Sequence, residues 1–376
     1  MPRLNSRYRA LLLAMCLALG GAVGAQTDRD TVRWDDRAGQ WVYTLFSPTD
    51  PSRSKEVRYT PRILIEARVK SQVRWARDRF EYHYRISNGA GARQPISEIV
   101  VHAPRWDAQP LKHPPIPSDV PWAQILAAVR AEIAAEEAFV AGTLYSPGRW
   151  RAFLNLRDPG QVVFGWLADY QKNNTGIAPH RAQDSFSVLR TELPGAGWMQ
   201  LQGYTQDMNE SVLLPRAGAL AEQVQQLQLN DSVDVTVLVP AIVVPSPYQG
   251  AELARRLKAH VATWPDAGLI DADTLQAVNS RLDLLIQALQ THDRKAAQAA
   301  AQSLLMQARR HHADLRDVHI DDDDEAHDSK ADKRTFLSAR GTLEERVEPP
   351  APLHRVAGRA LAFNLKYLLA RMEMAP

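Results

Sequence analysis

The 376 residues include one cysteine, Cys16. A lone thiol cannot close an internal disulfide, and its place near the N-terminus leaves the rest of the chain without thiolate metal sites or a cysteine nucleophile. Charge of one sign is also lacking. The 45 basic residues stand against 43 acidic ones, so there is no global basic field for gripping nucleic acid. After the first 25 residues no stretch reaches the ~20 apolar residues that span a bilayer as a helix. Motifs of cofactor and nucleophile chemistry are missing as well: the sequence has no Gly-x-Gly-x-x-Gly or Walker-type loop, no Gly-x-Ser-x-Gly elbow and no His-Glu-x-x-His. No cofactor and no bound metal are therefore expected, and the question of catalysis leans towards a protein that is not an enzyme.

What is present begins with a leader. Arg3, Arg7 and Arg9 precede an apolar run from Ala10 to Leu19, followed by glycines and small residues, which is the layout of a secretory signal peptide over residues 1–25. Val23 and Ala25 suit a signal peptidase, so cleavage is expected after Ala25. Met15 before Cys16 does not suit lipidation. The leader carries three basic and no acidic residues, so the mature chain is close to neutral and free of cysteine. This predicts a periplasmic or secreted protein, most naturally bacterial, with no transmembrane segment once the leader is removed.

Apolar content of 45% and charged content of 23% are those of a folded chain. From 30 to 105 the apolar residues alternate: Trp41, Tyr43 and Leu45, then Ile63, Ile65 and Ala67, then Phe80, Tyr82 and Tyr84. Period two is the mark of half-buried strands. Six prolines between Pro104 and Pro121 break the pattern, and Trp122, Ile125, Val129 and Ile133 then mark a helix over about 121–139. Strand patterning resumes at Trp150–Leu156, Val162–Leu167, Phe186–Leu189 and Trp198–Gly203. A short helix is expected over Ala217–Leu227 and a β-branched strand over Val233–Val239. Pro240, Pro245 and Pro247 read as a stiff hinge. Beyond it, Leu275, Val278, Leu282, Leu285, Ile286 and Leu289 form one helical stripe, and Ala297, Ala301, Leu304, Leu305 and Ala308 another. The expected organisation is an α+β multidomain chain. It has a β-sandwich over 30–245 with a proline-rich and helical insertion at 104–140, then a helical hairpin region over 249–317. An acidic disordered loop over 318–335 and a C-terminal helix over 352–374 complete it, the helix closing the bundle or docking on the sandwich.

Tyr82, Tyr84 and the Asn88-Gly89 turn are followed by Pro147-Gly148-x-Trp150, a strand holding Val163 and Trp166, then Ile177, Pro179, Ser185–Val188 and the Leu193-Pro194-Gly195 corner. This series resembles uncharacterised exported bacterial proteins with an immunoglobulin-like β-sandwich, over about a third of the chain, and the C-terminal stripes are similar to small helical hairpin modules attached to such proteins. The resemblance implies a sandwich fold and no catalytic residues.

The candidate chemistry is sparse. His311, His312, His319, Asp321 to Asp324, Glu325, His327 and Asp328 supply metal-ligand types, but in no loop of defined geometry, and such a charge run is ordinarily solvated. Ser185 near Asp184 and His180 is a triad by composition only, and Glu136-Glu137 point apart on a helix. A basic stretch with interleaved aromatics, including Arg74, Trp75, Arg77 and Arg79, can line a face for polyanions or sugars, or can be solvated arginine beside a core tryptophan. Trp150 and Trp198 are further candidates for a stacking surface, against the plainer role of core packing. Trp75, Arg74, Arg77, Arg79, Trp150 and Trp198 are thus the expected partner-binding residues. The expected function is that of an exported, non-catalytic cell-envelope protein that binds an envelope protein or a glycan, and not nucleic acid. The alternative is a hydrolase of cell-wall or glycan substrates whose acid and base come from distant segments.

Overall fold

The computed structural model describes residues 31–47, 50, 52–76, 78–104, 124, 140, 142–155, 161–169, 176–204, 231–312 and 352–374. The leader, Ala217–Leu227 and the acidic run at 318–335 lie outside them, as does the insertion at 104–140 apart from Pro104, Gln124 and Val140.

The β-rich part holds three antiparallel sheets. β1 (Thr31–Asp35), β2 (Gln40–Phe46) and β3 (Ser54–Tyr59) form the first. The second takes β4 (Ala67–Ala76), β5 (Arg79–Asn88), β10 (Arg181–Arg190) and β7 (Leu144–Tyr145) in that spatial order. The third runs β12 (Val233–Ile242), β11 (Leu193–Gly203), β6 (Ile96–Pro104), β9 (Gln161–Ala168) and β8 (Trp150–Asn155). The alternation in β5 works as expected, with Phe80, Tyr82, Tyr84 and Ile86 buried and the residues between them facing outward.

The second and third sheets pack face to face. Tyr84 and Phe186 from one meet Trp166 from the other at ring-centroid distances of 5.9 and 5.3 Å, and Trp150 meets Phe186 edge-on at 5.0 Å. Polar side chains of one sheet also serve the backbone of the other. β12 is an edge strand whose outer N–H and C=O groups would lack ladder partners. At Leu238 the N–H donates to Ser71 Oγ (3.0 Å) and the carbonyl accepts from Tyr84 Oη (2.9 Å). Where the chain crosses between sheets, Tyr82 Oη donates to the Glu192 carbonyl (2.6 Å), and Arg190 grips the Glu192 carboxylate through two bonds of 2.8 and 2.7 Å.

The small first sheet differs from the single sandwich expected over 30–245. Its strands pair locally through tight connections, Ala38 N–H bonding Asp35 Oδ1 (3.0 Å) in the first, and Tyr43, Leu45 and Tyr59 form a core of their own with Val32, Trp41 and Val57.

Helices α1 (Gly250–Val261), α2 (Ala272–Gln290), α3 (Arg294–His311) and α4 (Arg355–Met374) make up the C-terminal part. The two predicted stripes meet as a hairpin. Asp271 caps α2 by accepting from Thr274 N–H (2.7 Å), and Asp293 caps α3 by accepting from Ala296 N–H (2.9 Å). The proline segment is not a free hinge. Pro240 lies inside β12 opposite Pro194, where an edge strand tolerates a missing N–H, and the Val243 carbonyl accepts from Arg256 of α1 (3.2 Å). α4 packs on both α3 and β11, so the helices and the sandwich share one continuous apolar core.

Replacing Tyr84 by Phe removes the donor to a buried carbonyl while keeping the ring. Urea denaturation is expected to show a loss of about 1–2 kcal/mol with an unchanged slope. An unchanged midpoint would mean that the edge of β12 does not depend on this phenol.

Candidate functional site

The outward side of the five-stranded sheet carries the most organised polar surface among the described residues. Along β11 the sequence Trp198-Met199-Gln200-Leu201-Gln202 alternates, so that Met199 and Leu201 are buried and Trp198, Gln200 and Gln202 face away from the sandwich core. Register then lines up neighbours across the sheet. Trp198 lies between Thr236 of β12 and His102 of β6, Gln200 between Asp234 and Val100, and Gln202 beside Glu98.

Trp198 and His102 stack almost parallel, with centroids 3.7 Å apart and 5° between planes. His102 Nε2 lies 3.1 Å from Gln200 Oε1, and the Gln200 side chain also bonds the Asp234 carboxylate, which accepts from Ser232 Oγ at 3.4 Å. An acidic neighbour needs the amide NH2 of Gln200, which turns Oε1 towards the histidine and fixes the proton on Nε2. Burial holds the Asp234 carboxyl above its ordinary value, opposed by the bonds from Ser232 and Gln200 and by His102. On the neighbouring strand the Phe153 ring lies over Gly165, where a Cβ would stand 1.9 Å from the Ile99 carbonyl oxygen.

The strip ends at the seam with the small sheet. Arg62 donates from its guanidinium to Gln202 Oε1 (2.7 Å), with Glu98 Oε2 3.9 Å away, and from its backbone N–H to Asp231 Oδ1 (2.6 Å). Asp231 is only 4% exposed. Burial pushes its carboxyl up to about 7, against the bonds from the Arg62 and Ile63 N–H groups, while Oδ2 is buried without a hydrogen-bond partner. Beside it, Tyr43 is raised to about 12, by burial first and then by Asp231.

The six residues expected from sequence do not converge. Trp198 reaches the strip. Trp150 is 7% exposed and packs its ring on Phe186 in the core, and Trp75 packs edge-on against Tyr367 of α4 at 4.9 Å. Arg74 and Arg79 are exposed on the outward side of the other sheet, and Arg77 lies outside the described residues. His102, Gln200, Asp234 and Asp231 were not singled out in the sequence. The polar alternation at 198, 200 and 202 was a signal for an outward strip, but only pairing with β6 and β12 brings histidine and carboxylate to it. His180, Asp184 and Ser185 stand on an irregular stretch where Ser185 has φ 72° and Asp184 bonds Arg85 instead, so they form no triad. Among the described residues no group of three or more His, Cys, Asp or Glu side chains is placed to hold a metal ion.

Asp231 makes stability depend on pH in a defined direction. Its folded value lies above its ordinary 3.8, so between about 4 and 7 the unfolded chain gives up a proton that the folded chain keeps. Stability from this group falls across that window, and the penalty is complete above about 7, at about 1.4 kcal/mol per unit of separation. Asp231→Asn, which stays neutral, is expected to gain stability relative to the parent between pH 4.5 and pH 8 in chemical denaturation. A constant difference would show that Asp231 ionises normally.

Comparison of the chain with protein families, with curated proteins and with solved structures finds no match.

Proposed function

We propose that this is an exported, non-catalytic cell-envelope protein that binds a glycan through the outward side of its five-stranded sheet. The observation that carries the proposal is the Trp198–His102 stack, continued across three strands by the Gln200 amide and the Asp234 carboxylate. Hydroxyl-rich ligands are held by planar amides and carboxylates that accept and donate side by side, next to an indole that shields one side of the sugar from water. The imidazole already covers one face of the indole, so a sugar ring can stack only on the opposite face or rest on the shared edge. Phe153 extends the apolar part of the surface, and Gln202, Glu98 and Arg62 extend its polar part. The immunoglobulin-like reading of the sandwich belongs to the same proposal. In its support, β4, β5 and β10 share one sheet while β6, β11 and β12 share the other, although β7 enters the chain before β8 and β9.

A hydrolase is the second reading, and Asp231 is the observation in its favour, since a carboxyl titrating near 7 suits a general acid. Against it, Asp231 is buried and receives two backbone N–H groups, which is what a structural carboxyl does.

Pull-down on purified peptidoglycan and on neutral polysaccharides tests the proposal. The parent chain is expected to be retained, and Trp198→Ala to weaken retention about tenfold, the factor for about 1.4 kcal/mol of aromatic contact. Trp75→Phe, altered on the core side, is expected to bind like the parent. Equal retention of Trp198→Ala would remove this face from the function.

A further inference from the structure

The stack of Trp198 on His102 fixes which way the indole looks. Trp198 lies between His102 of β6 and Thr236 of β12, and rings 3.7 Å apart with 5° between their planes stand face to face along that line. The free face of the indole is therefore turned towards β12. There Thr236 is directly opposite, and Asp234, two residues away on the same side of β12, is diagonal to Trp198 at about 7–8 Å by sheet geometry. Asp234 is exposed. Its partners Ser232 and Gln200 are neutral, and among the described residues the one basic group whose charge acts on it is His102, which stands on the covered face of the indole. Arg62 is engaged at the other end of the strip, with Gln202 and Asp231.

We propose that the free face of Trp198 and the Asp234 carboxylate together bind an amino sugar whose amine is unacetylated; this names the sugar class for the glycan surface and rests on that reading. An ionised carboxylate only accepts hydrogen bonds, so a ligand that meets Asp234 has to donate them. An ammonium donates three and brings the positive charge that the neutral partners of Asp234 do not supply, and the π face of an indole attracts the same cation. Sugar hydroxyls donate without that charge, and the amides of Gln200 and Gln202 serve them as well as a carboxylate does. Acidic glycans are disfavoured, because Asp234 stands where their anionic groups would approach the indole. A lysine side chain offers the same ammonium, yet a sugar ring also covers the indole with a flat surface and keeps its hydroxyls within reach of Thr236 and Gln200.

The test is retention of the purified full chain on chitosan and on chitin, one backbone with free and with acetylated amines, at a pH where the free amines are charged. The parent is expected to bind chitosan about tenfold more tightly than chitin, and the difference to shrink as salt is added. Asp234→Asn keeps the shape of the side chain and is expected to bind both polymers as the parent binds chitin. Asp266→Asn, which removes an exposed acid in the turn after α1, is expected to keep the preference. Trp198→Ala is expected to weaken binding to both. Equal binding of the two polymers by the parent, with Trp198→Ala weaker on each, would leave the glycan reading standing and overturn this one, as would a preference that survives in Asp234→Asn. Retention on neither polymer overturns it too, and the glycan reading falls with it if peptidoglycan and the neutral polysaccharides also fail to retain the parent. An oligolysine peptide that displaces chitosan at an equal concentration of amines would overturn it in favour of a basic protein partner.

Discussion

Helix α4 has almost no side left for solvent. Ala357, Ala360, Leu361, Phe363, Leu365, Tyr367 and Leu368 are buried around its circumference, because α3 covers one side while β11 and β12 cover another. A helix that is apolar on most of its faces gains from burial only when all of them are covered at once. The bundle and the sandwich are therefore bound to a common core. Phe80 and Tyr367 meet at 5.5 Å between centroids, so the β4–β5 hairpin rests on the same helix. Asn364 adds a directional element by donating through Nδ2 to the Pro194 carbonyl (2.6 Å), which ties the helix to the start of β11.

The consequence for function is positional. β11 is held between β6 and β12 on its edges and contacts α4 at its N-terminal end, so the strand that presents Trp198, Gln200 and Gln202 is among the most constrained in the molecule. Side chains that recognise a ligand on a sheet face lose little freedom on binding when the strand beneath them is fixed. The inward Met199 and Leu201 and the outward polar residues depend on the same register, and a slip of one residue would exchange the two sets. The Ser71 and Tyr84 bonds to Leu238 act against such a slip by pinning β12, the neighbour that supplies Asp234.

The two outward sheet faces have separate characters. One is a mixed aromatic and amide surface built on three strands, and the other is a surface of paired charges, Arg68 with Glu66 and Arg85 with Asp184. Neither borrows residues from the core that holds them, which is why both can be changed at their surfaces without touching Trp166, Tyr84 or α4. The seam beside Asp231 is the exception, since there a buried carboxyl, Tyr43 of the small sheet and the Arg62 backbone meet, and surface chemistry is joined to the stability of the fold.

Much of the architecture was legible in the chain because it is local. Period-two burial in β5 and β11 and the helical stripes of α2 and α3 follow from residues within one element, where backbone geometry alone sets which side chains share a face. Alternation puts Trp75 and its neighbour Arg74 on opposite faces once the strand is given, but the docking of α4 is what covers Trp75, which the sequence had offered as a partner-binding residue. The sequence by itself thus determined which residues alternate, which apolar residues form the two helical stripes and that Cys16 is the one thiol of the chain. Only the tertiary structure decided that β1–β3 stand apart as a third sheet, that α4 is shared between bundle and sandwich, and that His102, Trp198 and Asp234 come together from strands about 100 and 35 residues apart in the chain. Such meetings depend on strand order and register, which are fixed by the simultaneous burial of distant apolar faces and leave no mark in any single stretch of sequence.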